Sequence, residues 1–141
     1  DPFKRIDVLP TQRKVKITLP GPSGDVVLAD STHALLLIEP LLPVRYYIPQ
    51  PDCRLDLLRE SDLRTKCPYK GEAEYYDIVL PAKDGMGKME GDGEVVKDVV
   101  WWYRYPTAES VGVAGMLCFY NEKVDVWVDG VKQERPKTHF A

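Results

Sequence analysis

Proline and glycine recur so often in this chain that few stretches are long enough to wind into a helix. Twelve prolines and ten glycines punctuate 141 residues. A proline inside a helix removes a hydrogen bond and clashes with the preceding turn, and an interior glycine costs backbone entropy. The segments left between them are short and rich in β-branched and aromatic residues, the composition of strands. Residues 14–19 (KVKITL) alternate polar and apolar, a turn follows at Pro20-Gly21-Pro22-Ser23-Gly24, and residues 25–30 return as the second strand of a hairpin. Residues 34–39 form an apolar run ahead of a proline, and Arg45-Tyr46-Tyr47-Ile48 is a short aromatic strand held between Pro43 and Pro49. Further strands are expected at 75–80, 94–105, 116–120 and 124–128, with a turn at Asn121-Glu122 and a glycine-rich hairpin loop at 81–93. One helix of about two turns is expected near 51–60, where Pro51-Asp52 opens a run containing Leu55, Leu57 and Leu58.

The pattern predicts a mainly β fold: a small barrel-like or two-sheet antiparallel domain with one short helix. The length suits a single domain spanning residues 1–130, with a polar, loosely held tail at 131–141. A formal net charge of −3 provides no general basic field for nucleic acid. No apolar stretch is long enough to cross a membrane as a helix, and the opening Asp1-Pro2-Phe3-Lys4 lacks a secretory core. Cys53, Cys67 and Cys118 are odd in number and irregular in spacing, which argues against a disulfide framework and for a reducing, cytoplasmic setting.

Several linked segments carry a family resemblance. They are Arg45-Tyr46-Tyr47-Ile48-Pro49, the run from Asp52 to Leu58, the run from Thr65 through Cys67-Pro68-Tyr69-Lys70-Gly71 to Tyr75, Val100-Trp101-Trp102-Tyr103 with Pro106, and the run from Gly115 to Gly130. In this order they resemble the domain of unknown function 427 family, also labelled nucleotidyltransferase-like. The resemblance implies a small β-rich domain. Nucleotidyl transfer needs carboxylates holding Mg²⁺ beside a phosphate cradle. The chain has no Gly-Ser loop followed by a spaced Asp-x-Asp pair, so its motifs do not support that label.

The candidate site centres on the segment 67–71. Cys67 is flanked by Lys66 and Lys70, and nearby positive charge favours a thiolate. The alternative is a small buried residue at a tight Cys-Pro turn. Arg45 and Tyr47 share one face of an alternating strand, where they could clamp a carboxylate or phosphate. The competing role for Arg45 is an internal salt bridge to Asp56 or Glu39. Trp101 and Tyr103, with Tyr105, share a face that reads either as a cleft wall or as core, and Trp127 reads as core. No Cys-x-x-Cys or His-x-x-x-His pair is present, so a structural zinc site is not expected, and an open site would have to draw on His33 with carboxylates. The glycines at 85–93 do not match a phosphate-binding loop.

These readings converge on a small-molecule-binding domain, expected to be a cofactor-independent enzyme of isomerase, lyase or proton-transfer type. Cys67, Tyr69, Lys70 and Arg45 are its expected catalytic groups. Tyr47, Tyr75, Trp101 and Tyr103 are its expected substrate-binding groups, with no metal. The alternative is a non-catalytic β module that binds a protein or peptide through an exposed aromatic patch or a bare sheet edge. Oligomeric state is not encoded in any of these features.

Overall fold

The computed structural model describes residues 6–67, 70–81, 93–105, 107 and 112–137. Among the described residues, eleven strands form two antiparallel sheets. They are β1 (Asp7–Pro10), β2 (Val15–Gly21), β3 (Gly24–Ser31), β4 (Leu35–Ile38), β5 (Arg45–Ile48), β6 (Leu58–Cys67), β7 (Gly71–Val79), β8 (Val95–Tyr103), β9 (Leu117–Phe119), β10 (Asp125–Val128) and β11 (Val131–Lys132). The larger sheet runs β1-β4-β5-β9-β8-β7-β6, and the smaller runs β11-β10-β2-β3. The expected fold class is borne out in its two-sheet form; the sheets do not close into a barrel.

Alternation sets which residues face the space between the sheets. From β2, Val15, Ile17 and Leu19 enter it, joined by Leu28 from β3, Ile48 from β5, Ile78 from β7, Val100 from β8, Leu117 and Phe119 from β9 and Val126 from β10. Most of these are less than 4 % exposed. The outer face of the larger sheet carries a second buried cluster: Leu37, Tyr47, Ala73, Tyr75, Trp101, Tyr103 and Cys118, with Val113 packed over it. The larger sheet is therefore covered on both faces along its middle strands, and β8 buries Val99, Val100, Trp101 and Tyr103, with Trp102 partly exposed between the last two.

Three elements differ from the sequence expectation. In place of a two-turn helix near 51–60 there are two separate 3₁₀ turns, Gln50–Asp52 and Leu55–Leu57. An isolated helix this short is disfavoured by nucleation, and nothing packs a continuous helical face here. Instead, Arg54 N–H donates to the Leu28 carbonyl at 2.8 Å and Ser31 Oγ donates to Asp52 at 2.7 Å, tying the turns to β3. Second, residues 58–67 form the ten-residue edge strand β6, whose charged and polar side chains hide it from a hydrophobic pattern. Such charges are what protects an exposed edge from pairing with another chain. Third, Val131–Lys132, assigned to the tail, pairs with β10, and Gln133 N–H donates to the Val126 carbonyl beyond it. Trp127, expected in the core, lies half-buried on the outer face of the smaller sheet. There its indole donates to Thr18 Oγ1 at 3.0 Å beneath Lys16 and Lys132.

Paired bulges set the far end of the larger sheet. Register shifts between Tyr76 and Ile78, and between Glu60 and Arg64. Asp98 stands there at φ +52°, a left-handed conformation rare for a residue with a side chain. Its N–H donates to Asp77 Oδ1 at 2.8 Å, and its carboxylate accepts the Ser61 hydroxyl. Asp77 also pairs with Arg59 and Lys97. Burial acts to raise the Asp77 pKa, but the Asp98 N–H and the two cations outweigh it and hold the carboxyl below its ordinary value. At Gly93 a Cβ would lie 1.6 Å from the Leu80 carbonyl oxygen, so only glycine fits where the chain re-enters β8. The rest of the expected loop, residues 82–92, lies outside the described residues. No described helix is long and apolar enough to cross a membrane.

Candidate functional site

The strand β5 is where the site begins. Its alternation sends Tyr46 and Ile48 towards the smaller sheet and Arg45 and Tyr47 to the outer face. Antiparallel register then extends a row across five strands. Leu35 lies opposite Tyr47, Tyr47 opposite Cys118, Cys118 opposite Trp101, and Trp101 opposite Tyr75. A neighbouring row places Tyr103 opposite Ala73 and Ala73 opposite Thr65. The motifs quoted from the sequence are thus spread along the chain but laid side by side on one sheet face.

The row is closely packed and internally hydrogen-bonded. Tyr47 is fully buried, and Tyr75, Trp101 and Tyr103 are nearly so. The Trp101 indole N–H donates to the Tyr47 hydroxyl at 3.0 Å, with the rings edge to face. Thr65 Oγ1 and the Tyr75 hydroxyl are 2.8 Å apart, and the Tyr75 and Tyr120 hydroxyls are also bonded. The Tyr120 ring packs on Trp101 with centroids 4.4 Å apart. Burial pushes the Tyr47, Tyr103 and Tyr120 hydroxyls and the Cys118 thiol well above their ordinary values, so all four stay protonated at neutral pH.

Two ion pairs flank this floor. The Arg45 guanidinium meets both oxygens of Glu122, at 2.5 and 2.9 Å, and donates to Asn121 Oδ1 at 2.6 Å. It also lies over the rings of Trp101 and Tyr120, 5.4 and 5.6 Å from their centroids. Asn121 Nδ2 donates to the Val44 carbonyl and fixes the turn that presents both partners. On the other side, Lys70 Nζ is 2.7 Å from Glu39 Oε1. Lys70 is placed by the β6–β7 hairpin, where Gly71 adopts φ +106° to close the turn, and its carbonyl accepts the Thr107 N–H. The Arg45 and Lys70 side chains are only 15 % and 14 % exposed, and their carboxylate partners less.

Most of the residues singled out by sequence therefore meet. Arg45, Tyr47, Tyr75, Trp101 and Tyr103 share the face, Lys70 closes one end, and Cys67 ends β6 at that edge as a half-buried free thiol. Tyr69 lies outside the described residues. Tyr105, expected beside Trp101 and Tyr103, is 83 % exposed and apart from them. The internal salt bridge considered for Arg45 exists, but with Glu122; Asp56 is taken by Arg54 and Glu39 by Lys70. Thr65, Tyr120, Asn121 and Glu122 were not read from the sequence. The alternation Cys118–Tyr120 was the available signal for Tyr120; the contact from Arg45 to Glu122 spans 77 residues and leaves no local trace.

The arrangement offers two kinds of chemistry. Lys70 and Glu39 form a nearly buried ion pair at one end, and at the other the Arg45 guanidinium, held by Glu122 and Asn121 Oδ1, stands beside the tyrosine hydroxyls as a fixed polar group. Among the described residues no group of three or more His, Cys, Asp or Glu side chains converges as a metal site. His33 is occupied locally, its N–H donating to Ser31 Oγ and its Nδ1 3.3 Å from Thr32 Oγ1.

No curated protein matches the chain. The family described as domain of unknown function (DUF427) matches residues 7–130, from the start of β1 to the turn after β10, and so takes in the larger sheet, the smaller sheet apart from β11, and every described residue of the aromatic face. On that match, the chain belongs to the DUF427 family.

Proposed function

We propose that the protein binds a small molecule at the outer face of the larger sheet and acts on it without a cofactor, by proton transfer of the isomerase or lyase type. The observation that carries this reading is the pair of nearly buried ion pairs, Arg45–Glu122 and Lys70–Glu39, set at the edges of one aromatic floor. A buried ion pair rarely stabilises a fold more than apolar groups of the same shape. Two of them beside a polar aromatic cluster are better explained by a ligand they orient than by stability.

In this reading Tyr47, Tyr75, Trp101 and Tyr103 form the floor beneath the apolar or aromatic part of the ligand. Arg45, held in place by Glu122, presents donors to its polar or anionic end. Lys70 and Glu39 exchange the proton, with Cys67, at the end of β6, as a substrate contact. The free cysteines support a reducing, cytoplasmic location.

The test is a thermal-shift screen of aromatic and aliphatic acids and their amides, followed by NMR mapping of every stabilising compound. The expected result is stabilisation by a compound that shifts the Trp101 indole signal and loses its effect in Lys70→Met. If all stabilising compounds leave the Trp101 and Tyr120 signals unmoved, the proposal fails.

A further inference from the structure

The strand β5 has a second face. Tyr46 projects from it towards the smaller sheet, where the two sheets diverge and leave a cleft. The larger lobe has a volume of about 440 Å³, with Val15, Leu36, Tyr46 and Val128 among its walls and Arg13 and Asp129 at its rim. A smaller lobe of about 180 Å³ lies beyond Tyr46 and Gln133, closed by residues 133–136. The larger lobe falls within the range of small-molecule sites. Its apolar walls reach the core, since Val15 is fully buried in the folded chain.

Two polar features show what the cleft would take. Among the described residues, none accepts from or donates to the Tyr46 hydroxyl, which sits half-buried between the two lobes. At the rim, Asp129 is held by the backbone: its Oδ1 accepts the Lys14 N–H at 2.9 Å, and its own N–H donates to the Lys14 carbonyl. Arg13 reaches the other oxygen, Oδ2, only at 3.8 Å, with the two side chains 71 % and 52 % exposed. An exposed pair at that distance is weak. The rim therefore holds a carboxylate that the backbone already satisfies and a guanidinium with spare donors.

We propose that this cleft is a binding site for a monocarboxylate with an apolar body, its chain lying against Val15, Leu36 and Val128 and its carboxylate on Arg13 beside Tyr46. A ligand carboxylate at hydrogen-bond distance would displace the loose contact to Asp129 and form the forked pair that arginine favours. The site is separate from the aromatic face, which lies on the opposite side of β5, and does not depend on the function proposed for it.

The experiment titrates the protein with decanoate, decanol and decylamine, each below its aggregation threshold, by calorimetry and by NMR of Tyr46, Val128 and Val131. The expected result is saturable one-to-one binding of decanoate, tighter than that of the other two, with shifts at those residues. Arg13→Gln, at an exposed position that folding does not require, should weaken decanoate about tenfold, the effect of one lost charge-assisted hydrogen bond, and leave decanol unchanged. Val131→Glu, at the exposed mouth, should weaken decanoate as well. The proposal is overturned by absence of saturable binding, by decanol or decylamine binding as tightly as decanoate, by shifts confined to the Trp101 face, or by an unchanged decanoate affinity in Arg13→Gln.

Discussion

Replacing Glu122 by glutamine probes the ion pair on which the aromatic face is built. The variant keeps the size of the side chain and one acceptor oxygen, but it turns an NH₂ group towards Arg45 and removes the countercharge. Both partners are mostly out of water, at 15 % and 8 % side-chain exposure, so little solvent screening applies. Breaking a buried pair by removing one partner costs about 3–5 kcal/mol, because the other charge stays buried. Arg45 keeps Asn121 and the faces of Trp101 and Tyr120, which places the expected loss near the low end, ~3 kcal/mol. For a domain of this length the unfolding entropy is roughly 0.3 kcal/mol per degree, so the melting temperature should fall by about 10 °C. Arg45→Met/Glu122→Leu removes both charges and should recover most of the loss. Calorimetric melting of the three proteins decides it. A glutamine variant that melts within a degree of the parent, or a double variant as unstable as the single, would refute the account of Arg45 and Glu122 as a buried, mutually dependent pair.

Other outcomes follow from the same structure. Trp101→Phe leaves the Tyr47 hydroxyl without its indole donor and should cost about 1–3 kcal/mol by urea unfolding. Asp77 has a lowered folded pKa, so its contribution is present above the ordinary carboxyl pKa near 4 and is lost as pH falls through the folded value. Asp77→Asn should therefore be less stable than the parent at pH 7, with the gap narrowing below about pH 4. Iodoacetamide should label Cys67 first between pH 7 and 9, because burial pushes the Cys53 thiol up to about 12 and raises that of Cys118 as well. Mass spectrometry finding Cys118 modified first in the folded protein would contradict this. Gly93→Ala forces a Cβ into the Leu80 carbonyl and should fail to give a folded product, judged by amide NMR dispersion.

What could be read from the sequence depended on whether the signal was local. The strand β5 was legible to its end residues because two prolines bound it and its alternation is clean. The strand β6 was not, because an edge strand with charges on both faces has no apolar period to display. Leucines at 55, 57 and 58 looked helical, yet the first two lie in a 3₁₀ turn in which only Leu57 is buried, and Leu58 opens β6. The face shared by Arg45, Tyr47, Trp101 and Tyr103 was half legible: alternation within each strand assigned the sides, but only register across β5, β9, β8 and β7 brings those sides together. The cleft beside Tyr46 had no sequence trace at all. Its lining comes from β2, β4, β5, β10 and the loops beside them, which no single segment brings together.

The strand order has a consequence for how the chain is made. Two short strands that come late among those described, β9 and β10, pair with strands made much earlier; β9 sits between β5 and β8, and β10 lies beside β2 with β11 at its outer edge. Until residues 117–119 leave the ribosome, the larger sheet stands split between β5 and β8, and until β10 follows, the β2–β3 hairpin keeps an unpaired edge at β2. A nascent or prematurely terminated chain would hold its aromatic segments and open edges together, the combination that invites association with other copies. The larger sheet is then joined by the insertion of β9, and the smaller one is extended from β2 by β10 and β11.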